Sequence, residues 1–256
     1  MSGPGAAGHC TGVISSCSRA VIPTPIHPQL SLGLTLREHA RFESYLDSAN
    51  EEAVSALRDL ATARGEQLLV LSGPAGVGKT HLLQAACHAA AERGRTCVYL
   101  PVTEIQVLGP AVLADLEQLG LVCLDDVHAI AGLELWEHAL FDLFNRLRAS
   151  GSTLLVALDR MPDRCGFAMP DLVSRLGWGV SYRLRPLPEY QLQDALMQRA
   201  AGRGLQLSGD AAQFMLRRLP RDPASLFSAL DRLDEASMIE QRRLTIPFIR
   251  SVLQLD

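Results

Sequence analysis

The chain has 256 residues, of which 48% are apolar, so it can bury a sizeable core as one large domain or as a medium domain plus a small one. Formal net charge is -4; residues 1–159 carry 10 basic and 17 acidic side chains against 14 and 11 in residues 160–256, a basic bias too weak to argue for a nucleic-acid surface. No apolar run reaches the ~18 residues of a membrane span, no charged n-region precedes an apolar h-region, and Cys10, Cys17, Cys87, Cys97, Cys123 and Cys165 form no CxxC pair. These features exclude membrane insertion, export, a disulfide framework and a cysteine zinc site, and describe a soluble cytoplasmic chain with reduced thiols.

In chain order, residues 1–28 are rich in Gly, Ser, Ala and Pro and read as a disordered tail, with an alternative start at Val21 open to test. The stretch 49–65 has helical spacing at Val54, Leu57 and Leu60 with Gly65 as a stop. QLLVLS (67–72) reads as a buried strand, HLLQAACHAAAERG as a helix ended by Gly94, and TCVYLP (96–101) as a second strand. LADLEQLG predicts a short helix, LVCLDD (121–126) a third strand, and ELWEHALFDLFNRLRASG (134–151) an amphipathic helix. TLLVALD (153–159) and WGVSYRL (178–184) supply two more strands. Short apolar runs alternating with helices require a parallel sheet covered on both faces. From Pro188 the pattern is helical only, in four segments that predict a small bundle, without internal repeats. Trp136, Phe141 and Phe144 at helical spacing read as core contacts.

The turn between the first strand and its helix is GPAGVGKT, Gly73, Pro74, Ala75, Gly76, Val77, Gly78, Lys79 and Thr80, followed by His81. It fits G-x-x-x-x-G-K-[ST] at every fixed position and in the strand-to-helix context that motif needs. Glycines let backbone N–H groups turn inward on a polyphosphate, and the helix adds its positive N-terminal end. Lys79 is the single lysine in a chain with 23 arginines. A compact ammonium on a slim stem reaches between β- and γ-phosphates, where a planar guanidinium is bulkier. Thr80 offers its hydroxyl to Mg²⁺. Asp125, at the end of an apolar strand, is the matching carboxylate that would hold Mg²⁺ through water, and Asp126 the candidate for polarising an attacking water. Asp159 ends another strand and reads equally as a γ-phosphate sensor or as a turn-forming Asp ahead of Arg160 and Pro162. His81 and His128 border these motifs and read as packed or solvated histidines.

GPAGVGKTHLL, LVCLDDVHAIAG, LDRMP and above all SRLGWG resemble the AAA+ group formed by the bacterial replication initiator DnaA and its shorter relative Hda, over residues 29–256. The resemblance implies an α/β nucleotide-binding AAA+ P-loop domain at 35–187 with a five-stranded parallel sheet, and an all-helical lid at 188–256. ADP or ATP with Mg²⁺ is the implied cofactor. In that group the arginine matching Arg175 is an arginine finger acting in a neighbour's ATP site; sequence alone, without the resemblance, favours a surface or ion-paired arginine. Gln29, Leu30, Ser31, Leu32 and Leu34, in QLSLGL (29–34), resemble the peptide that docks on the bacterial sliding clamp, although alternating leucines also describe an edge strand. The chain stops after the lid without a helix-turn-helix module, which favours the shorter relative. The implied partners are DnaA, the polymerase III sliding clamp and, through the clamp, DNA, with homo-oligomerisation left open. Where DnaA carries a sensor arginine on the lid this chain has Ala224, with Asp222 read as the helix cap and Arg221 just before it. Firm nucleotide binding with slow turnover is therefore expected. Phe42 and Tyr45 lie either by the adenine or in ordinary packing. A helicase-loader-like ATPase is the second reading and a P-loop phosphotransferase the third.

Overall fold

The computed structural model describes residues 36–37, 40–45, 49–220, 223–240 and 244–255. The tail, the 29–34 peptide, Val21, Arg221 and Asp222 lie outside the described residues. Within the unit that begins at Leu34, the elements run α1 (Glu51–Ala61), β1 (Leu68–Ser72), α2 (Lys79–Glu92), β2 (Cys97–Pro101), α3 (Val102–Ile105), β3 (Leu121–Asp125), α4 (Glu134–Ser150), β4 (Thr153–Leu158), α5 (Pro170–Leu176) and β5 (Val180–Arg183). Four helices follow: α6 (Leu192–Ala201), α7 (Gly209–Arg218), α8 (Pro223–Glu240) and α9 (Ile246–Leu253).

All strand pairs are parallel and the order across the sheet is β2-β3-β4-β1-β5. Every residue of β1, β3 and β4 is buried, as expected of strands covered on both faces. One face packs Leu69, Leu71, Cys123, Leu155 and Ala157 under Leu57, Leu60, Leu82 and Leu83 of α1 and α2. The alternate residues Val70, Val122 and Val156 are equally buried and by period two face the other side, where α4 lies on β4 and α5 on α4. Arg95 ties the layers together at the strand starts. Its guanidinium donates to the carbonyls of Leu60, Ala61 and Gly120 and to Thr153 Oγ1, at 2.6–3.1 Å.

The four C-terminal helices enclose their own core of Leu192, Leu196, Met215, Leu226, Leu230, Leu233, Phe248 and Ile249. Ser208 and Thr245 start α7 and α9 as N-caps, accepting from the N–H groups of Ala211 and Phe248. Two expectations change. LADLEQLG forms no α-helix: 3-10 turns at Pro110–Leu113 and Leu116–Gln118 flank Asp115, whose φ is 60°. Eight residues are too few to repay helix nucleation, and Arg146 instead takes the Leu113 carbonyl and the Glu117 carboxylate. Helix α5 was not evident in sequence, because seven residues offer only Leu172 and Leu176 as a buried pair. Among the described residues no helix is long and apolar enough to cross a membrane, and Cys87, Cys97, Cys123 and Cys165 are free thiols.

Candidate functional site

The site forms where β1 ends, beside β4 and β5. Gly78 begins α2 with φ 99°, a left-handed conformation that suits glycine. A Cβ there would also lie 2.5 Å from Tyr45 Cε2, so the loop has room only for hydrogen at this position. Tyr45 lies against the loop and donates to the Val77 carbonyl at 3.2 Å. Asn50, buried, donates to Tyr45 Oη (3.1 Å) and to the Arg185 carbonyl (3.1 Å), and accepts from the Arg185 N–H (2.8 Å). One amide thus joins the N-terminal segment, the phosphate-loop neighbour Tyr45 and the connection to the lid.

Lys79 is 7% exposed and its Nζ donates to the carbonyls of Gly73 (2.8 Å) and Pro74 (3.1 Å). An ammonium has three donors, so these two carbonyls leave one N–H to spare. Burial lowers its pKa, opposed by the charges of Asp126, Asp125 and Asp159. Asp125 is 1% exposed. Its carboxylate accepts from Tyr99 Oη and from the Asp126 N–H, both at 3.0 Å. Burial raises its pKa against those hydrogen bonds. Asp126 adopts φ 51°, ψ 40°, which turns it from the strand into the open cleft. Asp159 holds Arg160 through Nε at 2.9 Å and Nη2 at 2.6 Å. Burial opposes its ionisation, but Arg160 together with His128 brings its pKa below the ordinary value.

Two neighbouring hollows flank the loop. A cavity of about 70 Å³ is lined by Tyr45, Asn50, Gly76, Gly78, Leu187 and Phe227, among others. A more open one of about 380 Å³ is lined by Lys79, Thr80, Asp126, Arg37, Asp231 and others. His81, Arg199 and Phe227 border both. His81 shares its Nε2 with the Arg41 carbonyl at 2.9 Å and Ser44 Oγ at 3.3 Å, so it also anchors the N-terminal segment. Phe42 is core, 5% exposed under Arg58, while Tyr45 lines the smaller cavity.

The donor set fits a nucleotide polyphosphate. A desolvated ammonium with a spare N–H, a glycine cradle that a Cβ would fill and a helix start converge on one cleft, and the Thr80–Asp125 pair suits a hard cation reached through oxygen. Gly73 to His81, Asp125, Asp126 and Asp159 are brought together at the C-terminal ends of β1, β3 and β4.

Arg175 is not among them. It ends α5 just before β5, at the opposite end of the strands from the Gly73–Thr80 loop, about 16 Å away along a five-residue strand. It is half-buried, and among the described residues it makes no ion pair. Its guanidinium lies 3.9 Å from the centroid of the Trp178 ring and 5.7 and 5.9 Å from those of Phe141 and Phe144. Phe141 and Phe144 therefore do more than fill the core: they flank an arginine whose aromatic platform, Trp178, is 56% exposed. Gly179 explains the small residue after Trp178. A Cβ there would sit 2.5 Å from the Leu68 carbonyl oxygen and Cγ, so only glycine lets β5 approach β1 with Trp178 turned out. Glu137, 1% exposed, sets the start of α5 by accepting from the N–H groups of Gly132 (2.6 Å), Ala168 (2.9 Å) and Met169 (2.7 Å). Sequence reasoning missed Glu137, Asn50 and Tyr99, which are single polar residues without motif neighbours.

The architecture is that of an AAA+ P-loop protein: a five-stranded parallel sheet with the phosphate loop on β1, followed by a helical lid. The family model described as Hda, lid domain, matches residues 189–253, the bacterial DnaA ATPase domain matches 110–183, and the IstB-like ATP binding protein matches 32–109. Among solved structures, domain III of the Thermotoga maritima replication initiation protein DnaA is similar at 21% identity, over 86% of this chain and 98% of that one, with a TM-score of 0.71. DnaA bound to AMPPCP and single-stranded DNA is 21% identical over 81% and 69% of the two chains, at 0.64. The Thermotoga maritima RuvB Holliday junction branch migration motor shares the fold more distantly, 17% identical over 80% and 67%, at 0.56. The chain thus has the AAA+ fold seen in domain III of DnaA, and its C-terminal helices are similar to the Hda lid.

Proposed function

We propose that the protein is an Hda-like negative regulator of replication initiation. The Gly73–His81 loop holds ADP or ATP, with Thr80 and Asp125 taking Mg²⁺, as a structural switch more than as fuel. Asp126 and Asp159 are the water-polarising and γ-phosphate-sensing carboxylates. The 29–34 peptide, Gln29 to Leu34, docks the chain on the DNA-loaded sliding clamp, and Arg175 enters the ATP site of DnaA to promote hydrolysis there. A guanidinium delivered to a γ-phosphate stabilises the charge that develops in the transition state. The observation that carries this reading is the position of Arg175. Set at the far end of the sheet from its own phosphate loop, half-exposed and resting on Trp178, it suits a site on another molecule better than its own. Its lodging against an aromatic face holds the side chain extended at little entropic cost.

The test is hydrolysis of DnaA-bound ATP in the presence of clamp-loaded DNA. Wild type should stimulate it, Arg175→Ala should reduce the stimulation by about 100-fold or more, and Gln29→Ala should lose it through failure to dock, both variants remaining folded. Absence of stimulation by wild type would move the assignment to the helicase-loader-like reading, in which the loop runs its own ATP cycle. That second reading draws on the likeness of residues 32–109 to an IstB-like ATP binding protein.

A further inference from the structure

Among the described residues, Arg199, on the inner face of α6, is the one lid arginine that borders both hollows beside the loop. Its guanidinium stacks 4.5 Å over the Phe227 ring of α8, and its Nε is buried without an acceptor among the described residues. Its surroundings leave the charge uncompensated. The carboxylate that acts on it, Asp231, is already bonded by Arg203 and lies 3.9 Å from Arg37 Nη1, while Asp234 also faces Arg203. On the facing wall of the open cleft stand the Lys79 ammonium and the Asp126 carboxylate. Burial, and then the neighbouring Arg203, push the Arg199 guanidinium down to about 10 despite Asp231. A surplus cation with an idle donor, buried beside a second cation, is costly unless an anion joins it.

We propose that Arg199 is the lid's phosphate-reading residue: it binds the polyphosphate held by the Gly73–Thr80 loop and so couples nucleotide occupancy to the position of the lid. The inference rests on the nucleotide-holding part of the function proposed above and adds the residue through which the lid senses it. The planar guanidinium offers paired N–H donors for phosphate oxygens, and the Phe227 ring fixes its plane. Because α6 and α8 share one core through Leu196, Leu226 and Leu230, a contact at Arg199 is transmitted to the bundle as a whole.

Competition titrations of fluorescent mant-ADP with unlabelled ADP and AMP test this on wild type, Arg199→Met and Lys79→Ala, alongside thermal unfolding without nucleotide. For Arg199→Met the affinity for ADP should fall about 10- to 100-fold, the span of one to two charge-assisted hydrogen bonds. AMP should change less than threefold, and the nucleotide-free unfolding temperature should hold or rise because a buried like-charge contact is relieved. ADP affinity within threefold of wild type, or equal losses for ADP and AMP, would overturn the inference. If Lys79→Ala loses ADP while Arg199→Met keeps it, the nucleotide site stands and only the role of Arg199 falls. If wild type binds no ADP, the nucleotide-holding reading itself fails. Should the methionine variant not fold, Arg199→Lys is judged by the same ADP-to-AMP criterion, since lysine keeps the stem and charge but not the fork.

Discussion

Asp125 shows how the site trades stability for chemistry. Its carboxylate sits at the end of a buried strand, held by Tyr99 and the Asp126 N–H, and burial still raises its pKa above the ordinary 3.8. A raised carboxyl binds more protons in the folded than in the unfolded state between pH 3.8 and its folded value, so stability falls as pH climbs through that window and stays at the lower level above it. Asp125→Asn removes the buried charge and keeps one oxygen for the Asp126 N–H, while the Tyr99 hydroxyl can turn to accept from the new amide. The nucleotide-free protein should gain about 1 kcal/mol at pH 7, and the pH dependence of denaturant midpoints above 3.8 should flatten, while Mg²⁺-dependent nucleotide affinity declines. A variant no more stable than wild type at pH 7 would contradict this account. Lys79 has the complementary sign: burial lowers its pKa, so its cost in the folded state eases as pH climbs toward 10.5.

At the scale of elements, the junction between α5 and β5 does the positioning. Glu137 gathers two backbone N–H groups at the entry to α5 and a third, of Gly132, in the turn before α4, and Gly179 lets the chain leave Trp178 and press directly against Leu68. Gly179→Ala forces a methyl into the Leu68 carbonyl, a backbone atom that cannot rotate away. The edge strand β5 must then shift off β1. Overpacking of this kind costs about 1–3 kcal/mol, readable as a lowered denaturant midpoint, and it should abolish stimulation of a partner's hydrolysis while leaving nucleotide affinity within a fewfold, because the Gly73–Thr80 loop lies at the other end of the sheet. If stimulation survives in the folded variant, the platform under Arg175 is not needed for its action.

At the scale of the molecule, the α/β body and the lid have separate cores that meet around the cleft bordered by Tyr45, His81, Arg199 and Phe227. A ligand there touches both. ADP at one hundred times its Kd should stabilise the chain by about 2.7 kcal/mol, seen as a higher unfolding temperature, with hydrogen-exchange protection extending into α6 and α8 as well as the loop. Protection confined to Gly73–His81 would mean that the lid does not take part. Steady-state ATP turnover should be slow, since the lid lacks a cation at residue 224; a rate comparable to motor AAA+ proteins would contradict the switch reading.

The strand-helix alternation and the phosphate loop were legible from the chain alone, because each is written in contiguous residues: five apolar runs, a glycine turn and one lysine among 23 arginines. Asp125 was legible for the same reason, as the polar end of an apolar strand. Asn50, Tyr99, Glu137 and Arg199 were not. Each is a lone polar residue whose partners lie far along the chain, as with Asn50 and Arg185, and nothing local marks one arginine of many as the one facing a cleft. The failed helix at LADLEQLG likewise turned on Arg146, a tertiary neighbour. Local physics thus decided where strands, helices and the phosphate loop form, since hydrophobic period and glycine conformation act over a few residues. Only the parallel order β2-β3-β4-β1-β5 decided that Lys79, Asp125 and Asp159 share one end of the strands while Arg175 stands at the other, because proximity across a sheet is set by which strands pair and not by distance along the chain.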